Sequence, residues 1–416
     1  MPTIELKYGS TSIPFEYELS AFEILGGQLD LPPLSDIEIG EKLDSPIGTR
    51  PLEEIVGTGE SVLIVVPDAT RQTAAGQVVN LLVRRLIANG SQPSEITIIF
   101  ATGIHRKVSE AEKSEILTPF IAQRIKTLDH DPRDLAKLVR LGETNGGIPI
   151  ELNRALVESD HVVLVGGVTF HYFAGFTGGR KLICPGLAST RTITATHKLA
   201  FDCENRSRRN GVDTGLLDGN AVHEAFVEAV SKVRPAFALS AIVNSHGEVV
   251  ELYCGDWITS HRAACDEFAR QHTVNVAEKR GLVIVSCGGF PHDINFIQAH
   301  KALEAASHAC REGGTIVLLA ECRDGLGRDD FLKWFDAETS EALAVKLCEK
   351  YQVNGQTAWS LFRKAERFNI RVVTSLNSDA LSKMSLMVET SLTHYGGDRG
   401  YILTDGAQTM VRALDN

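Results

Sequence analysis

Ser61-Val-Leu-Ile-Val-Val66 and Ile96-Thr-Ile-Ile-Phe100 determine the fold class of this chain. Both runs are short, apolar and rich in β-branched residues, which is typical of strands buried on both faces of a parallel sheet. Residues 74–89 lie between them and carry apolar side chains at helical spacing, so we expect a helix that packs on the sheet. The three segments together predict a βαβ unit.

The same alternation continues through His161-Val-Val-Leu-Val165 and starts again after about residue 270. There the sequence predicts strands at 281–286, 315–320 and 370–373, with a helix at about 297–310 and further helices within 339–368. No internal repeat is visible. The pattern predicts an α/β protein with two α/β domains, parallel-type sheets and a cofactor and substrate cleft between them.

The domain boundary is expected near residue 270. Residues 1–270, completed by 395–416, are predicted to form an N-terminal cofactor-binding domain. Residues 271–394 are predicted to form a C-terminal domain that contributes substrate contacts.

Composition limits the partners that this chain is expected to have. Its 416 residues carry a net charge of −11, which argues against a nucleic-acid surface, and no stretch approaches the ~20 apolar residues of a membrane span. The first residues do not resemble a signal peptide, so we expect a soluble, cytoplasmic protein. The cysteines have no Cys-x-x-Cys spacing and are expected to be reduced thiols: Cys184, Cys203, Cys254, Cys265, Cys287, Cys310, Cys322 and Cys348.

The densest group of chemically active side chains follows the strand 161–165. Five glycines between positions 166 and 179 allow the backbone to approach a ligand closely, although neither Walker nor Gly-x-Gly-x-x-Gly spacing is present. Within and after this loop come His171, Arg180, Lys181 and His197. A lysine beside an arginine is a candidate for a nucleophilic or covalently linked amine, and the alternative is a pair of exposed cations.

Other polar side chains are predicted at the ends of neighbouring strands. Asp68, Thr70 and Arg71 follow the strand 61–66, and His105 follows the strand 96–100. The carboxyl ends of parallel strands meet at one edge, where open α/β sheets bind ligands. In the second half, Gln298 and Lys301 are three residues apart and share one helix face. The alternative is that these are ordinary structural or exposed polar groups.

The motifs that contain these residues resemble the lactate racemase family. They are Pro67-Asp-Ala-Thr-Arg71, Thr102-Gly-Ile-His105, Phe170-His-Tyr-Phe-Ala-Gly-Phe-Thr-Gly-Gly-Arg-Lys181 and Thr196-His-Lys198, with Gly289-Phe-Pro-His-Asp-Ile-Asn295 and Gln298 to Lys301 in the second half. Their order and spacing match the family across about 130 residues of the first half.

The resemblance implies a covalently attached nickel cofactor. In that family it is the nickel-pincer nucleotide, a Ni(II) pyridinium-3,5-bisthiocarboxylic acid mononucleotide joined as a thioamide to the lysine that matches Lys181. The histidine that matches His197 completes the nickel coordination. We expect further cofactor contacts from Asp68, Thr70, Gly178, Gly179 and Arg180.

The resemblance also implies a racemase or epimerase of 2-hydroxy acids. His105 and His171 would be the paired acid and base, while the C2 hydride moves to the cofactor and returns to the other face of a 2-keto acid. Arg71, Gln298 and Lys301 would bind the substrate. The partners implied are a small 2-hydroxy acid and the enzymes that make the cofactor, with neither nucleic acid nor membrane.

One departure from the family bears on the substrate. Where the family often has a basic pair, Val353-Asn-Gly-Gln-Thr-Ala358 carries Gln356 and Thr357, which suggests a hydroxylated sugar acid such as gluconate. The alternative is lactate or another small 2-hydroxy acid. Two alternatives of other classes are a zinc hydrolase that uses His105, His171 and His197, and a non-catalytic carrier of the nickel cofactor.

Overall fold

The computed structural model describes residues 1–27, 31–69 and 73–414. Its α-helices are α1 (Asp36–Asp44), α2 (Leu52–Ile55), α3 (Ala75–Ala88), α4 (Glu110–Ile116), α5 (Pro119–Arg124), α6 (Ala155–Glu158), α7 (Thr190–Lys198), α8 (Ala221–Val230), α9 (Thr259–His272), α10 (Phe296–Ala309), α11 (Ser340–Glu349), α12 (Val353–Arg367) and α13 (Ser378–Lys383). Among the described residues, no helix has both the length and the apolar character that crossing a bilayer requires.

The strands follow the same chain order. They are β1 (Thr3–Tyr8), β2 (Thr11–Glu16), β3 (Phe22–Leu25), β4 (Val62–Pro67), β5 (Ile96–Ala101), β6 (Lys126–Asp129), β7 (Leu138–Glu143), β8 (Pro149–Asn153), β9 (His161–Gly167), β10 (Phe170–His171), β11 (Gly175–Phe176), β12 (Phe201–Asp202), β13 (Ser207–Arg208), β14 (Phe237–Val243), β15 (Val249–Gly255), β16 (Thr273–Val276), β17 (Arg280–Ser286), β18 (Cys310–Leu319), β19 (Asn369–Val373), β20 (Met387–Val388), β21 (Gly400–Leu403) and β22 (Met410–Ala413).

The chain divides into two compact units. The central unit contains residues 29–200 and 210–268, and the terminal unit contains residues 1–28, 201–209 and 269–416. Each unit is built around a six-stranded sheet.

The sheet of the central unit has the order β15-β14-β9-β4-β5-β6. All its neighbours are parallel except the edge pair β14–β15. Val62 and Ile64 of β4 pack on the side of α3, whereas Leu63 and Val65 pack on the side of α8. Successive side chains of a strand point to opposite faces, so a strand covered by helices on both faces is apolar throughout.

The sheet of the terminal unit has the order β20-β19-β18-β17-β21-β3, and every pair in it is parallel. Val283 and Val285 of β17 belong to the core that contains α10 and α12. Leu282 and Ile284 face a second core, which the β1–β2 hairpin helps to form.

A short hairpin, β12–β13, belongs to the terminal unit, although in sequence it is flanked on both sides by residues of the central unit. Phe201 packs edge-on against Trp359 of α12, with ring centroids 4.8 Å apart. A disulfide joins Cys203 in the hairpin to Cys348 in α11, whereas the other six cysteines are free and buried. The expectation of eight reduced thiols was therefore wrong for this pair, because a spacing of 145 residues gives no local signal.

The predicted fold class is confirmed: the chain is α/β and contains two parallel-type sheets. The predicted strands at 61–66, 96–100 and 281–286 correspond to β4, β5 and β17, each within one or two residues. The units differ from the predicted domains in three ways, the first of which is the β12–β13 hairpin at residues 201–209. Residues 1–28 contribute β3, and residues 400–403 contribute β21, to the sheet of the terminal unit, because both strands continue its parallel ladder beside β17. The predicted domain 1–270 with 395–416 had assigned them to the other unit.

Candidate active site

Asp68 and His105 come together at the carboxyl edge of the central sheet. Asp68 follows β4 and His105 follows β5, and these two strands are parallel neighbours. Oδ2 of Asp68 lies 2.7 Å from Nδ1 of His105, which makes a carboxylate–imidazole pair. Asp68 is buried whereas the His105 side chain is 42% exposed, so the ring is accessible to a ligand.

The glycine-rich loop is folded tightly beside this pair. The N–H of Gly103, two residues before His105, donates to the carbonyl of Gly186 across 2.8 Å. Gly175 has a positive φ of 75°, and a Cβ there would lie 2.1 Å from the carbonyl oxygen of Leu216. Only glycine fits such a position, so the glycines predicted to allow close approach bring the loop against its own unit.

The ring of Phe173 is shared by three of the predicted site residues. Its centroid lies 4.4 Å from that of His171 and 5.2 Å from that of His197. The Nζ atom of Lys181 lies 5.5 Å from the Phe173 centroid and 5.5 Å from that of Phe226 in α8. The His197 ring also packs on Phe226, with centroids 5.6 Å apart. Lys181 and His197 therefore share two aromatic walls.

His197 lies in α7, which begins after the N-cap Ser189. Nδ1 of His197 lies 2.8 Å from the carbonyl oxygen of Ile193. A carbonyl can only accept a hydrogen bond, so Nδ1 carries the proton and donates it. Burial, and then the charge of Lys181, lower the pKa of His197 to about 3. The ring is therefore neutral, with a lone pair on Nε2, as a metal-binding imidazole requires.

His171 is held in the opposite tautomer. It ends β10, which pairs with β11 to form a small hairpin. Its Nδ1 accepts a hydrogen bond from the backbone N–H of Ala174 at 3.2 Å. The neutral ring therefore carries its proton on Nε2.

The remaining predicted residues are distributed as follows. Gly178 and Gly179 both have positive φ and lead into the 3-10 helix Gly179–Leu182, and the Arg180 side chain is buried. Gln298 and Lys301 lie on α10 of the terminal unit, where Nζ of Lys301 donates to Oε1 of Gln298 at 2.7 Å. The remaining two residues, Thr70 and Arg71, lie outside the described residues.

Gln356 differs from its expected orientation. It lies in α12 and is buried, and its Oε1 accepts a hydrogen bond from the Tyr351 hydroxyl. Thr357 is buried too. The Gln356 side-chain oxygen was expected to face a hydroxylated substrate, but it is hydrogen-bonded within the terminal unit.

Phe173 and Phe226 are the residues that the sequence analysis missed. Phe173 lies within the motif at residues 170–181, but an aromatic residue there is equally typical of a core. Phe226 lies in an ordinary apolar helix, 45 positions from Lys181, and no spacing rule connects the two.

The zinc alternative required three histidines around one ion. Within the ranges that the structure describes, no group of three or more His, Cys, Asp or Glu side chains is arranged to hold a metal. His105 pairs with Asp68 instead. The three-histidine zinc site therefore has no support there.

The parallel sheet, the Asp68–His105 pair at its carboxyl edge and the two neutral histidines around Phe173 define an α/β enzyme. Comparisons with known proteins make the class specific. Residues 8–209 match the lactate racemase N-terminal domain, and residues 276–394 match the lactate racemase C-terminal domain. The chain belongs to the lactate racemase family, as the resemblance implied, and it is an isomerase.

Individual relatives agree with the assignment to the lactate racemase family. A lactate racemase of Thermoanaerobacterium thermosaccharolyticum is 30% identical over 339 residues, which cover 80% of this chain and 78% of that protein. A lactate racemase of Lactiplantibacillus plantarum is 32% identical over 299 residues, which cover 72% of this chain and 69% of that protein.

Two solved structures extend the comparison to the fold. The lactate racemase apoprotein of Thermoanaerobacterium thermosaccharolyticum superposes with a TM-score of 0.88 at 27% identity, over 99% of this chain and 100% of that one. A Thermotoga maritima protein of 20% identity, matched over 94% of this chain and 100% of that one with a TM-score of 0.73, shares the fold. Membership of the family implies a nickel-dependent cofactor.

Proposed function

We propose that this chain racemises a small 2-hydroxy acid of the lactate type, using a nickel-pincer nucleotide attached to Lys181. The observation that carries the proposal is the Phe173 ring, against which His171, Lys181 and His197 all pack. A covalent anchor, a metal ligand and an acid/base group are the protein groups that this chemistry requires, and they lie on one aromatic side chain.

The residues present fit this cofactor. Lys181 has two aromatic rings around its amino group, an environment that suits an uncharged amide-type linkage as well as a cation. His197 offers an Nε2 lone pair whose direction is set by the Nδ1 bond to Ile193. Gly178, Gly179, Asp68 and Thr70 remain proposed cofactor contacts. When bound, the cofactor supplies the acceptor and donor of the C2 hydride.

The two remaining histidines divide the proton chemistry. Asp68 accepts the Nδ1 proton of His105 and leaves the His105 Nε2 as a base for the substrate hydroxyl. The charge that develops on the His105 ring is stabilised by the buried Asp68 carboxylate. His171 presents an Nε2–H donor instead. His105 thus offers a base and His171 a hydrogen-bond donor. Two histidines that differ in this way suit a racemase, because the hydroxyl group takes different positions in the two enantiomers.

The substrate proposal follows the relatives and the position of Gln356. Both curated relatives are named lactate racemases. The sugar-acid expectation rested on Gln356 facing the substrate, and Gln356 is buried against Tyr351. A small hydroxy acid, with lactate first, therefore has the better support. Arg71 and Lys301 stay the proposed carboxylate-binding groups, since cations bind carboxylates, and Gln298 stays a proposed substrate contact.

The test uses protein matured together with the cofactor-biosynthesis enzymes, which are the proposed partners. Intact mass should show an adduct on the wild type that Lys181→Ala lacks, and His197→Ala should lose nickel while His105→Ala keeps it. Lactate, malate and gluconate are then compared by kcat/KM. An adduct that survives in Lys181→Ala, or a clear preference for gluconate, would contradict the corresponding part of the proposal. A carrier protein would bind nickel without any turnover.

A further inference from the structure

Arg180 is an arginine whose guanidinium is buried. It is 1% exposed, and no Asp or Glu in the described part of the chain forms an ion pair with it. Its Nη2 donates to the carbonyl of Ala174 at 2.6 Å, and its Nε has no hydrogen-bond partner in the same described part. Burial lowers the pKa of Arg180 to about 10, so the guanidinium is still charged at neutral pH. A buried cation is costly, and the structure retains this one.

The guanidinium lies against α9. Its Nη1 is 3.3 Å from Nε2 of His261, and that nitrogen is also 2.9 Å from the carbonyl of Thr177. A carbonyl only accepts, so Nε2 of His261 carries a proton and cannot accept from Arg180 as well. The Arg180–His261 contact is therefore packing between a cation and a neutral ring. A Cβ on Gly179 would lie 2.5 Å from the His261 ring, so the loop reaches α9 only because this residue is glycine.

Ala174 connects Arg180 to His171. Its carbonyl accepts from Arg180 at 2.6 Å and from the Phe176 N–H at 2.9 Å, and its N–H donates to Nδ1 of His171. Ala174 lies in the turn of the β10–β11 hairpin, so its orientation determines the direction of the N–H that His171 receives. If this residue turned, Nδ1 of His171 would keep only the longer contact from the Phe173 N–H, at 3.5 Å, and the ring could adopt the other tautomer.

We propose that Arg180 is a positioning residue, which acts through Ala174 to hold His171 with its proton on Nε2. The inference rests on the proposed acid/base role of His171. It also changes the expected role of Arg180, because the guanidinium is enclosed between Ala174 and α9 whereas the neighbouring Lys181 faces Phe173 and Phe226.

The experiment compares Arg180→Met and Arg180→Lys with Arg191→Met, an exposed arginine of the same unit. In matured protein, Arg180→Met should keep its adduct mass and nickel but lose roughly 10- to 100-fold in kcat, with KM changed far less. The pH profile of kcat should shift as well. Arg180→Lys retains a charged donor and should recover part of the rate, and Arg191→Met should behave as the wild type.

The second measurement needs neither activity nor cofactor. Ring ¹⁵N shifts of histidine-labelled apoprotein, with the His171 signals identified by their loss in His171→Gln, report which nitrogen is protonated. Wild type and Arg191→Met should have the proton on Nε2 of His171, and Arg180→Met should show the other tautomer or a mixture. An unchanged tautomer in a folded Arg180→Met, or loss of the adduct from it, would overturn the positioning role. An inactive or unmodified wild type would instead count against the proposed function and leave this measurement valid.

Discussion

The pairing of Asp68 with His105 leads to the first prediction. Asp68→Asn replaces an acceptor that requires Nδ1–H by an amide that can also donate, which permits the tautomer with no lone pair on Nε2. By analogy with other carboxylate–histidine pairs, kcat should fall by roughly 10²- to 10⁴-fold, while nickel content stays unchanged. Turnover and metal analysis of the matured variant are the measurements.

The chain offers a matched control for this change. Glu60 holds Nε2 of His161 at the same distance of 2.7 Å, but outside the site. Glu60→Gln should therefore leave kcat as it is in the wild type. If Asp68→Asn and Glu60→Gln had equal activity, the orienting role of Asp68 would be wrong.

Among single residues, those with a chemical motif could be predicted and those that act by shape could not. His105 and Asp68 were expected at one edge because each follows a parallel strand, and they lie 2.7 Å apart. Phe226 could not be assigned to the site, because an apolar residue in a helix has the same pattern whether it covers a core or a ligand. The burial of Gln356 could not be predicted either, since it depends on its bond to Tyr351.

At the scale of elements, the regular strands were predictable and the β12–β13 hairpin was not. β4, β5 and β17 are apolar runs with a period that can be read locally. The hairpin is short and polar, and what holds it is distant in sequence: Trp359, Cys348 and Glu304. Such long-range contacts have no local signal.

The buried ion pairs of this hairpin give the second prediction. Glu304 binds Arg208 of β13 at 2.7 Å and Lys364 of α12 at 2.6 Å. Burial alone would raise the pKa of Glu304, but the charges of Arg208 and Lys364 lower it well below its ordinary value. Glu304→Gln leaves Lys364 buried without a counter-charge and should lower the free energy of unfolding by about 3–5 kcal/mol.

A second carboxylate contacts the same hairpin at its surface. Glu341 pairs with Arg206, and both side chains are exposed. Glu341→Gln should cost about 0–1 kcal/mol, because solvent screens an exposed pair. Urea titration of both variants measures the difference, and equal losses would show that burial of Glu304 is not the cause.

The disulfide of the hairpin gives the third prediction. Cys203 is exposed and Cys348 is partly so, whereas the six free cysteines are buried. A reductant should therefore reach this bond in the folded protein, and reduction should lower the free energy of unfolding by about 2–4 kcal/mol, because the bond closes a long loop. Cys348→Ser should show the same loss without reductant and no further loss with it. If reductant destabilised Cys348→Ser as much as the wild type, the effect would come from another source.

At the scale of the whole molecule, the division into units was only partly predictable. The change near residue 270 is visible in sequence because a new series of strands begins there. The return of residues 400–403 and 22–25 to a single ladder beside β17 is not visible, because strand order in a sheet is decided by pairing between distant segments. Both units, however, use the same parallel α/β plan that the pattern predicts.

Three buried histidines and the half-buried His223, distributed over both units, predict how stability depends on pH. Burial is the main cause that lowers the pKa to about 3 in His197, His223, His261 and His300. An unfolded histidine has a pKa of about 6.5, so the unfolded chain binds more protons than the folded one between roughly pH 6.5 and pH 3. The stabilisation from neutral burial is therefore fully present above about pH 6.5 and is lost as the pH falls.

Each of these histidines should contribute up to about 1.4 kcal/mol per pH unit to that loss. Urea unfolding is measured between about pH 7 and pH 5, above the range in which ordinary carboxylates titrate. Burial raises the pKa of Asp405 to about 7, so this carboxyl also titrates in the window, but it does so in the wild type and the variants alike. His300→Gln, in the terminal unit, should reduce the slope of unfolding free energy against pH by about one proton, whatever it does to the absolute stability. His246→Gln, at an exposed position, is the control and should keep the wild-type slope. If the unfolding free energy of the wild type and of His300→Gln had the same slope against pH, His300 would not be neutral in the folded protein.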